Sequence, residues 1–316
     1  MIERPKSFEE FLGQEQVKRL LKVAVESAKR RGKPLDHVLF YGPPGTGKTT
    51  LSHIIANEMG AEIKVVAAPT IERKGDLLGL LMSLNEGDVL FIDEIHRLNR
   101  AVEETLYSAM EDFKVDIVTG SSRATAVTIE LPPFTLIGAT TRLNLLTPPL
   151  RSRFGLVCRL ELYSVPELIK VARAVSRKLE LKVDEEGIEL LARCGRGTPR
   201  ILIQIMKRVR DYAVVHSWEV VDREKVERVL NELGIDSYGL DRLDRKILET
   251  IADKFKGGPV GLNTLATVLK EDVETIENVH EPYLIEMGFL IRTPRGRKIT
   301  ERGLEAIGKP SQPLLL

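Results

Sequence analysis

The chain has 316 residues, more than one hydrophobic core usually organises, so two or three domains are expected. Its 43% hydrophobic and 29% charged residues exclude a disordered or collagen-like chain, and a formal net charge of +1 excludes whole-molecule attraction to a polyanion, which local patches must then meet. Cys158 and Cys194 are the only cysteines and lack C-x-x-C spacing, no apolar window reaches the roughly 18 residues of a membrane span, and the start, MIERPKSFEEFLGQ, is charged. The expected setting is a reducing cytoplasm with no membrane contact.

Short apolar runs, HVLFY at 37–41, IKVVA at 63–67, DVLFI at 88–92 and FTLIGA at 134–139, alternate with helical patterns through the first half. That alternation predicts an α/β fold with a parallel sheet and covering helices. From Ser164, the expected N-cap of VPELIKVARAVSRKL with Pro166 in its first turn, amphipathic helices replace the strands. NELGIDSYGLDRLD at 231–244 reads as a connector into a third unit of helices and short strands. The expected domains are therefore 1–161, 162–236 and 237–316.

GPPGTGKTT carries the strongest local signal, because Gly42 to Thr49 matches G-x-x-x-x-G-K-[ST] between an apolar strand and a helical pattern. Gly42, Gly45 and Gly47 let the backbone curl until its N–H groups face phosphate oxygens, and the helix behind adds its positive end. Lys48 is expected at the outer phosphates, Thr49 on Mg²⁺, and Thr50 on a further phosphate. DVLFIDEIH supplies the complementary half: Asp93 for the Mg²⁺ shell and Glu94 to polarise the attacking water as general base. A bare Gly-Pro turn is the bland alternative for the first motif, and a solvated acidic strand end for the second.

With these motifs, GATTR at 138–142, LRSRF at 150–154 and RGTPR at 196–200 resemble sensor 1, the arginine-finger segment and sensor 2 of the AAA+ ATPases. The resemblance implies that Thr141, with Thr140 as second choice, watches the γ-phosphate. It also implies that Arg200 reaches it from a helical lid, and that Arg153, rather than Arg151, serves a neighbouring subunit. A guanidinium supplied in trans suits phosphoryl transfer because charge builds on the γ-phosphate oxygens. A solvated salt-bridging face is the other reading of Arg151 and Arg153.

VDIVTGSSRATAVTIEL at 115–131 alternates at both ends and reads as a β-hairpin, with Val115 and Ile117 facing Val127, Ile129 and Leu131 around a Gly-Ser-Ser tip. With only Arg123 basic near the tip, a protein partner is favoured over DNA, and an ordinary surface hairpin stays open. The last unit, from LDRKILETI to GFLIRTPRGRKIT, suggests a winged helix. Its third helix carries Glu274, Glu277, Glu281 and Glu286, which repel phosphates, whereas the wing concentrates Arg292, Arg295, Arg297 and Lys298 around Gly296. The wing is thus expected to contact a DNA backbone, or else to be a basic turn balanced by nearby glutamates.

Over essentially the whole chain, GPPGTGKTTL, FIDEIHRLNRAVEE, YSAMEDF, PFTLIGATTR, PLRSRFG, RGTPRI, GGPVGLN, EPYLIEMGFL and RTPRGR resemble the RuvB family of Holliday-junction branch-migration ATPases. The resemblance implies a AAA+ P-loop domain, a helical lid and a C-terminal winged helix. It further implies a hexameric ring that encircles duplex DNA, hydrolyses ATP to ADP and pumps the duplex through a Holliday junction in recombination and repair. RuvA would dock at the hairpin and RuvC would resolve the junction. By the same resemblance Arg4 lies near the adenine, Glu111, Asp112 and Phe113 lie beside the nucleotide with Tyr163, Arg153 and Arg200, and Arg292 and Arg297 touch DNA. The tip GSSRATA is shorter and less basic than is usual in the family, Thr46 stands where Leu is frequent, and the leader before GQEQ is short. Two other classes join similar motifs: ATP-switched DNA-binding proteins resembling archaeal origin initiators, and clamp-loader-like ATPases. The acidic third helix argues against groove reading by the first, and the second lacks a use for the basic wing.

Overall fold

A computed structural model describes residues 3–119 and 125–310. The chain divides into two compact units, one comprising Glu3–Gly42 and Thr46–Glu161 and the other running from Leu162. Among the described residues no helix is long and apolar enough to cross a membrane.

The first unit is built on strands β1 (Val38–Tyr41), β2 (Ile63–Ala67), β3 (Val89–Asp93), β4 (Lys114–Thr119), β5 (Thr125–Glu130), β6 (Thr135–Thr140) and β7 (Leu156–Arg159). Five of them form an all-parallel sheet in the order β2-β3-β6-β1-β7. The expected continuous apolar runs belong to the central strands: Leu90, Phe91 and Ile92 of β3 and every residue of β6 are buried. The edges β2 and β7 are exposed at alternate positions, and β7 was not read as a strand, its apolar run being only Leu156, Val157 and Cys158. Helices α1 (Glu15–Arg31), α2 (Lys48–Met59), α3 (Lys74–Met82), α4 (Arg100–Glu111) and α5 (Pro148–Ser152) complete the unit. Two cores result, one gathering Leu39, Leu90, Ile92 and Leu136 with α3 and α4, the other Phe40, Phe91 and Ile137 with α1 and α2.

The expected hairpin is present as β4 and β5, antiparallel with Val115 opposite Ile129 and Ile117 opposite Val127. Val115 is buried at its root, whereas Val127 is exposed. The tip, with Arg123, lies outside the described residues.

The second unit begins with α6 (Val165–Lys178), α7 (Glu185–Cys194), α8 (Pro199–Val215) and α9 (Arg223–Glu232). Ser164 caps α6 in a capping box with Glu167, as the sequence predicts. Then come α10 (Arg242–Lys254), α11 (Leu262–Leu269), α12 (Val273–Thr275), α13 (Glu281–Glu286), the wing strands β8 (Leu290–Thr293) and β9 (Gly296–Ile299), and α14 (Glu301–Ala306). The third helix expected of the winged helix is not continuous. A π turn at Ile276–His280 separates α12 from α13, next to Pro282, which lacks the N–H that an unbroken helix would use there. Buried Leu240, Ile247, Leu265, Leu284 and Phe289 form a core of their own beneath these elements.

Gly296 closes the turn of the wing opposite Thr293, and two features there call for glycine. Its φ is +132°, and a Cβ would meet the Val260 carbonyl oxygen at 2.3 Å. That closeness lets Val260 and Arg297 exchange backbone hydrogen bonds of 2.9 and 2.8 Å, which adds a third segment to the wing.

Candidate functional site

The phosphate loop leaves β1 at the carboxyl edge of the sheet and enters α2. Gly42 has φ +137° and passes so close to β7 that a Cβ would fall 2.0 Å from the Leu160 carbonyl oxygen, so only glycine fits. Gly45 and Gly47 also take positive φ, and Gly47 is the N-cap of α2. Lys48 folds back across the loop and donates from Nζ to the Gly42 carbonyl at 2.8 Å. Thr49 and Thr50 follow in the first turn of α2, both half-buried.

Asp93 ends β3, and its Oδ1 accepts from the Glu94 amide at 3.0 Å. Glu94 itself sits at φ +49°, a left-handed conformation costing about 1–3 kcal/mol. Its Oε2 accepts from the Thr141 hydroxyl at 3.3 Å and the Thr141 amide at 3.4 Å, and lies 3.2 Å from His96 Nδ1. The same Nδ1 is 2.8 Å from the Thr140 hydroxyl, which in turn accepts from the Arg142 amide. Thr141 rather than Thr140 therefore touches the acidic residue, and Thr140 is linked to it by way of His96. The oxygens of Thr49 and Asp93 are hard donors of the kind Mg²⁺ takes, so the residues present fit that ion.

A second cluster lies at the end of α4. Arg153 donates from NH2 to Glu111 Oε2 at 2.9 Å and from NH1 to the Pro149 carbonyl at 2.8 Å, with its guanidinium 4.6 Å from the centre of the Tyr107 ring. Arg151, by contrast, is exposed. Tyr107 is fixed by a 2.6 Å hydrogen bond to Glu103, and burial first, then that carboxylate, push its phenol upward. Asp112 and Phe113 follow directly, with Phe113 packed edge-on to Phe134 and to His37. His37 Nδ1 accepts from the Leu136 amide at 2.8 Å, so its Nε2–H donates to the Met110 carbonyl at 3.0 Å. Burial holds that imidazole below its usual pKa, which keeps it neutral and joins the end of α4 to β6. Arg4 is exposed, and its charge adds to burial in lowering the pKa of His53 on α2.

The other expected nucleotide residues belong to the second unit. Tyr163 is buried and donates its amide to the Gly197 carbonyl at 2.7 Å, and Arg200 is exposed in the first turn of α8.

On the wing, Arg292 and Arg297 are cross-strand partners. Both grip Glu281, whose side chain is 1% exposed: Arg292 at 2.9 and 2.7 Å, Arg297 at 2.8 and 3.0 Å. Glu277 stands 3.6 and 3.7 Å from them. Burial works to raise the Glu281 carboxyl, but the hydrogen bonds from the two arginines outweigh it and hold it below its ordinary value. Arg295 and Lys298 are exposed. The four cations are therefore not equivalent, since two are oriented by one buried carboxylate.

His37, His96 and Tyr107 escaped the reading of the sequence, whereas Glu281 was named there only among four glutamates, with the balancing of the basic turn by nearby glutamates as one alternative. His96, two residues beyond Glu94 in DEIH, offered a signal.

Three family models cover nearly the whole chain: the Holliday junction DNA helicase RuvB P-loop domain at residues 3–160, the RuvB AAA lid domain at 163–236 and the RuvB C-terminal winged helix domain at 237–308. The chain belongs to the RuvB family. A Holliday junction branch migration complex subunit RuvB from Bdellovibrio bacteriovorus is 55% identical over 299 residues, covering 94% of this chain and 91% of that one. Its counterpart from Flavobacterium psychrophilum is 53% identical over 307 residues, covering 97% and 90%. Among solved structures, the Thermotoga maritima RuvB Holliday junction branch migration motor superposes with a TM-score of 0.89 at 48% identity, covering 98% of this chain and 99% of that one. RuvB membership accounts for the fold and for the nucleotide loop, and it does not favour the initiator or clamp-loader readings.

Proposed function

We propose that this chain is an ATP-driven motor of the RuvB type, which pulls duplex DNA to move the branch point of a Holliday junction during recombination and repair. The observation that carries the proposal is the contact of Glu94 with Thr141 beside a complete phosphate loop, in a chain that matches RuvB over most of its length. The domains are 1–161, 162–236 and 237–316, and the setting is the cytoplasm.

The loop amides and Lys48 hold the triphosphate in line, and Glu94 takes the proton of the attacking water. Thr141 fixes the carboxylate for that task, since a base one ångström out of place loses much of its effect. When bound through Thr49 and Asp93, Mg²⁺ supplies charge neutralisation at the phosphate oxygens. Arg200 senses the γ-phosphate, Arg4, Tyr163 and the Glu111–Asp112–Phe113 segment border the nucleotide, and Arg153 completes the site of an adjacent subunit. The hold of Glu111, Pro149 and Tyr107 on Arg153 supports that last role, because a guanidinium supplied in trans must be positioned before its partner arrives. The assembly is a hexameric ring, RuvA docks on the hairpin at 115–131, RuvC joins the resolving complex, and Arg292, Arg295, Arg297 and Lys298 meet the DNA backbone.

The test is ATP-dependent separation of a synthetic four-way junction by the purified protein, with and without RuvA. Linear duplexes of equal length serve as controls. Failure to separate the junction with RuvA and ATP present overturns the proposal.

A further inference from the structure

Arg196, four residues before Arg200 in RGTPR, points into the winged helix. Its own backbone (φ +53°) and that of Gly197 (φ +68°) are left-handed, which reverses the chain between α7 and the Thr198 cap of α8. The reversal sends the guanidinium to the start of α10. There NH1 lies 2.7 Å from Asp241 Oδ2 and 2.7 Å from Asp244 Oδ2, and NH2 donates to Asp244 Oδ1 at 3.0 Å. The face of the guanidinium lies 4.8 Å from the Tyr283 ring of α13. The Tyr283 hydroxyl donates to the Tyr238 carbonyl in the connector.

From Asp244 the contacts run on toward the wing. His280 Nδ1 is 2.7 Å from Asp244 Oδ1, and the next residue, Glu281, holds Arg292 and Arg297. Asp241, Asp244 and His280 are close enough to bind a metal ion, but the guanidinium already stands among them. Arg196 and His280 are each 8% exposed and Asp244 is wholly buried. Shifting the lid turn against α10 would strand buried charges, which is far more costly than breaking an exposed pair.

We propose that Arg196 is a positioning residue that fastens the nucleotide-sensing turn of the lid to the winged helix, so that the two move as one body and a displacement of Arg200 reaches the wing arginines. The inference rests on the motor reading for its purpose, but the joint itself can be measured without it.

Two readouts on the full-length protein separate the questions. Spin labels go on Glu186→Cys in α7 and Glu305→Cys in α14, because Cys158 and Cys194 are buried thiols pushed up to about 11 and about 12, chiefly by burial, and do not compete for label. The label distance is expected to be narrow and the same with or without nucleotide, and to broaden in Arg196→Met. In the second readout, junctions separated per ATP hydrolysed should fall roughly two- to thirtyfold in Arg196→Met while ATP turnover stays near wild type. Arg196→Lys should lie between. Asp241→Asn retains the helix cap and weakens one ion pair, so it reports the same trend if Arg196→Met does not fold. A narrow distance and unchanged coupling in a folded Arg196→Met or Asp241→Asn overturn the proposal. A wild type that hydrolyses ATP but separates no junctions sinks the motor reading alone, and the label width still decides the joint.

Discussion

Glu281 and Arg297 meet edge to edge, Nε to Oε1 at 2.8 Å and NH2 to Oε2 at 3.0 Å, while Arg292 occupies the same carboxylate from the opposite strand. Removing that carboxylate leaves two neighbouring guanidiniums with only the more distant Glu277 as a shared acidic partner. Glu281→Gln should therefore destabilise the winged helix by about 3 kcal/mol. Bulk electrostatics predicts tighter DNA binding after loss of a negative charge, whereas an orienting role predicts weaker binding. Urea melts and a DNA titration at one salt concentration decide between them.

The same carboxylate makes the wing sensitive to acid. The folded pKa of Glu281 lies below its ordinary 4.5, and that of Asp241 lies below its ordinary 3.8 despite burial, because of the Asp244 amide and Arg196. A lowered carboxylate contributes stability that is complete above its ordinary value and disappears as pH falls through the folded value. The Glu281 contribution should be complete above pH 4.5 and fall away below it, so the drop in melting temperature below pH 4.5 should be smaller in Glu281→Gln than in the unaltered protein.

At the hydrolysis site, Glu94→Gln should retain ATP and turn it over about 10²- to 10⁴-fold more slowly. Thr141→Val removes the hydroxyl that fixes Glu94 but leaves the base, so it should lower kcat by less and change nucleotide affinity little. Lys48→Ala should abolish binding. Single-turnover hydrolysis with equilibrium nucleotide titration checks all three, and fast turnover by Glu94→Gln overturns the base assignment.

Arg153→Ala should lower ATP turnover by about 10³- to 10⁵-fold without preventing assembly, if its guanidinium serves the neighbour. A mixture with Glu94→Gln gives the sharper reading. Neither variant is active alone, but in mixed rings an intact Glu94 can face an intact Arg153. Recovered activity on mixing is expected, and its absence in demonstrably mixed rings counts against a trans role.

Arg292→Ala should weaken binding to all duplex sequences alike. It should also reduce the slope of log affinity against log salt by about 0.9 for each phosphate that is no longer neutralised. An unchanged slope in a folded variant shows that Arg292 serves Glu281 and not DNA.

The placement of the phosphate loop, Asp93 and Glu94 at strand and helix ends was legible because the apolar runs and the helical pattern that flank them lie in the immediate sequence. Four of the five sheet strands were legible as short apolar runs, β1, β3 and β6 because they are buried in the sheet interior, and β2 although it is an edge exposed at alternate positions. The partners of those residues were not. The Arg196–Asp244 contact spans 48 residues and the Arg153–Glu111 contact 42, and local periodicity holds no information about such pairings. The wing shows the limit most clearly. Counting charges correctly located a basic stretch and four glutamates, but only the fold shows that Glu281 is buried beneath two of the arginines.

The sheet order has a further consequence for how the molecule fails. Asp93 and Thr140 hang from the ends of adjacent interior strands, whose amides should exchange with deuterium slowest of all. The wing has only two four-residue strands and the Val260 bridge, with Glu281 and, farther off, Glu277 orienting two of its arginines. Mild heating should thus spoil the grip on the polynucleotide before it spoils the chemistry, leaving an engine that idles: fuel consumed, nothing hauled.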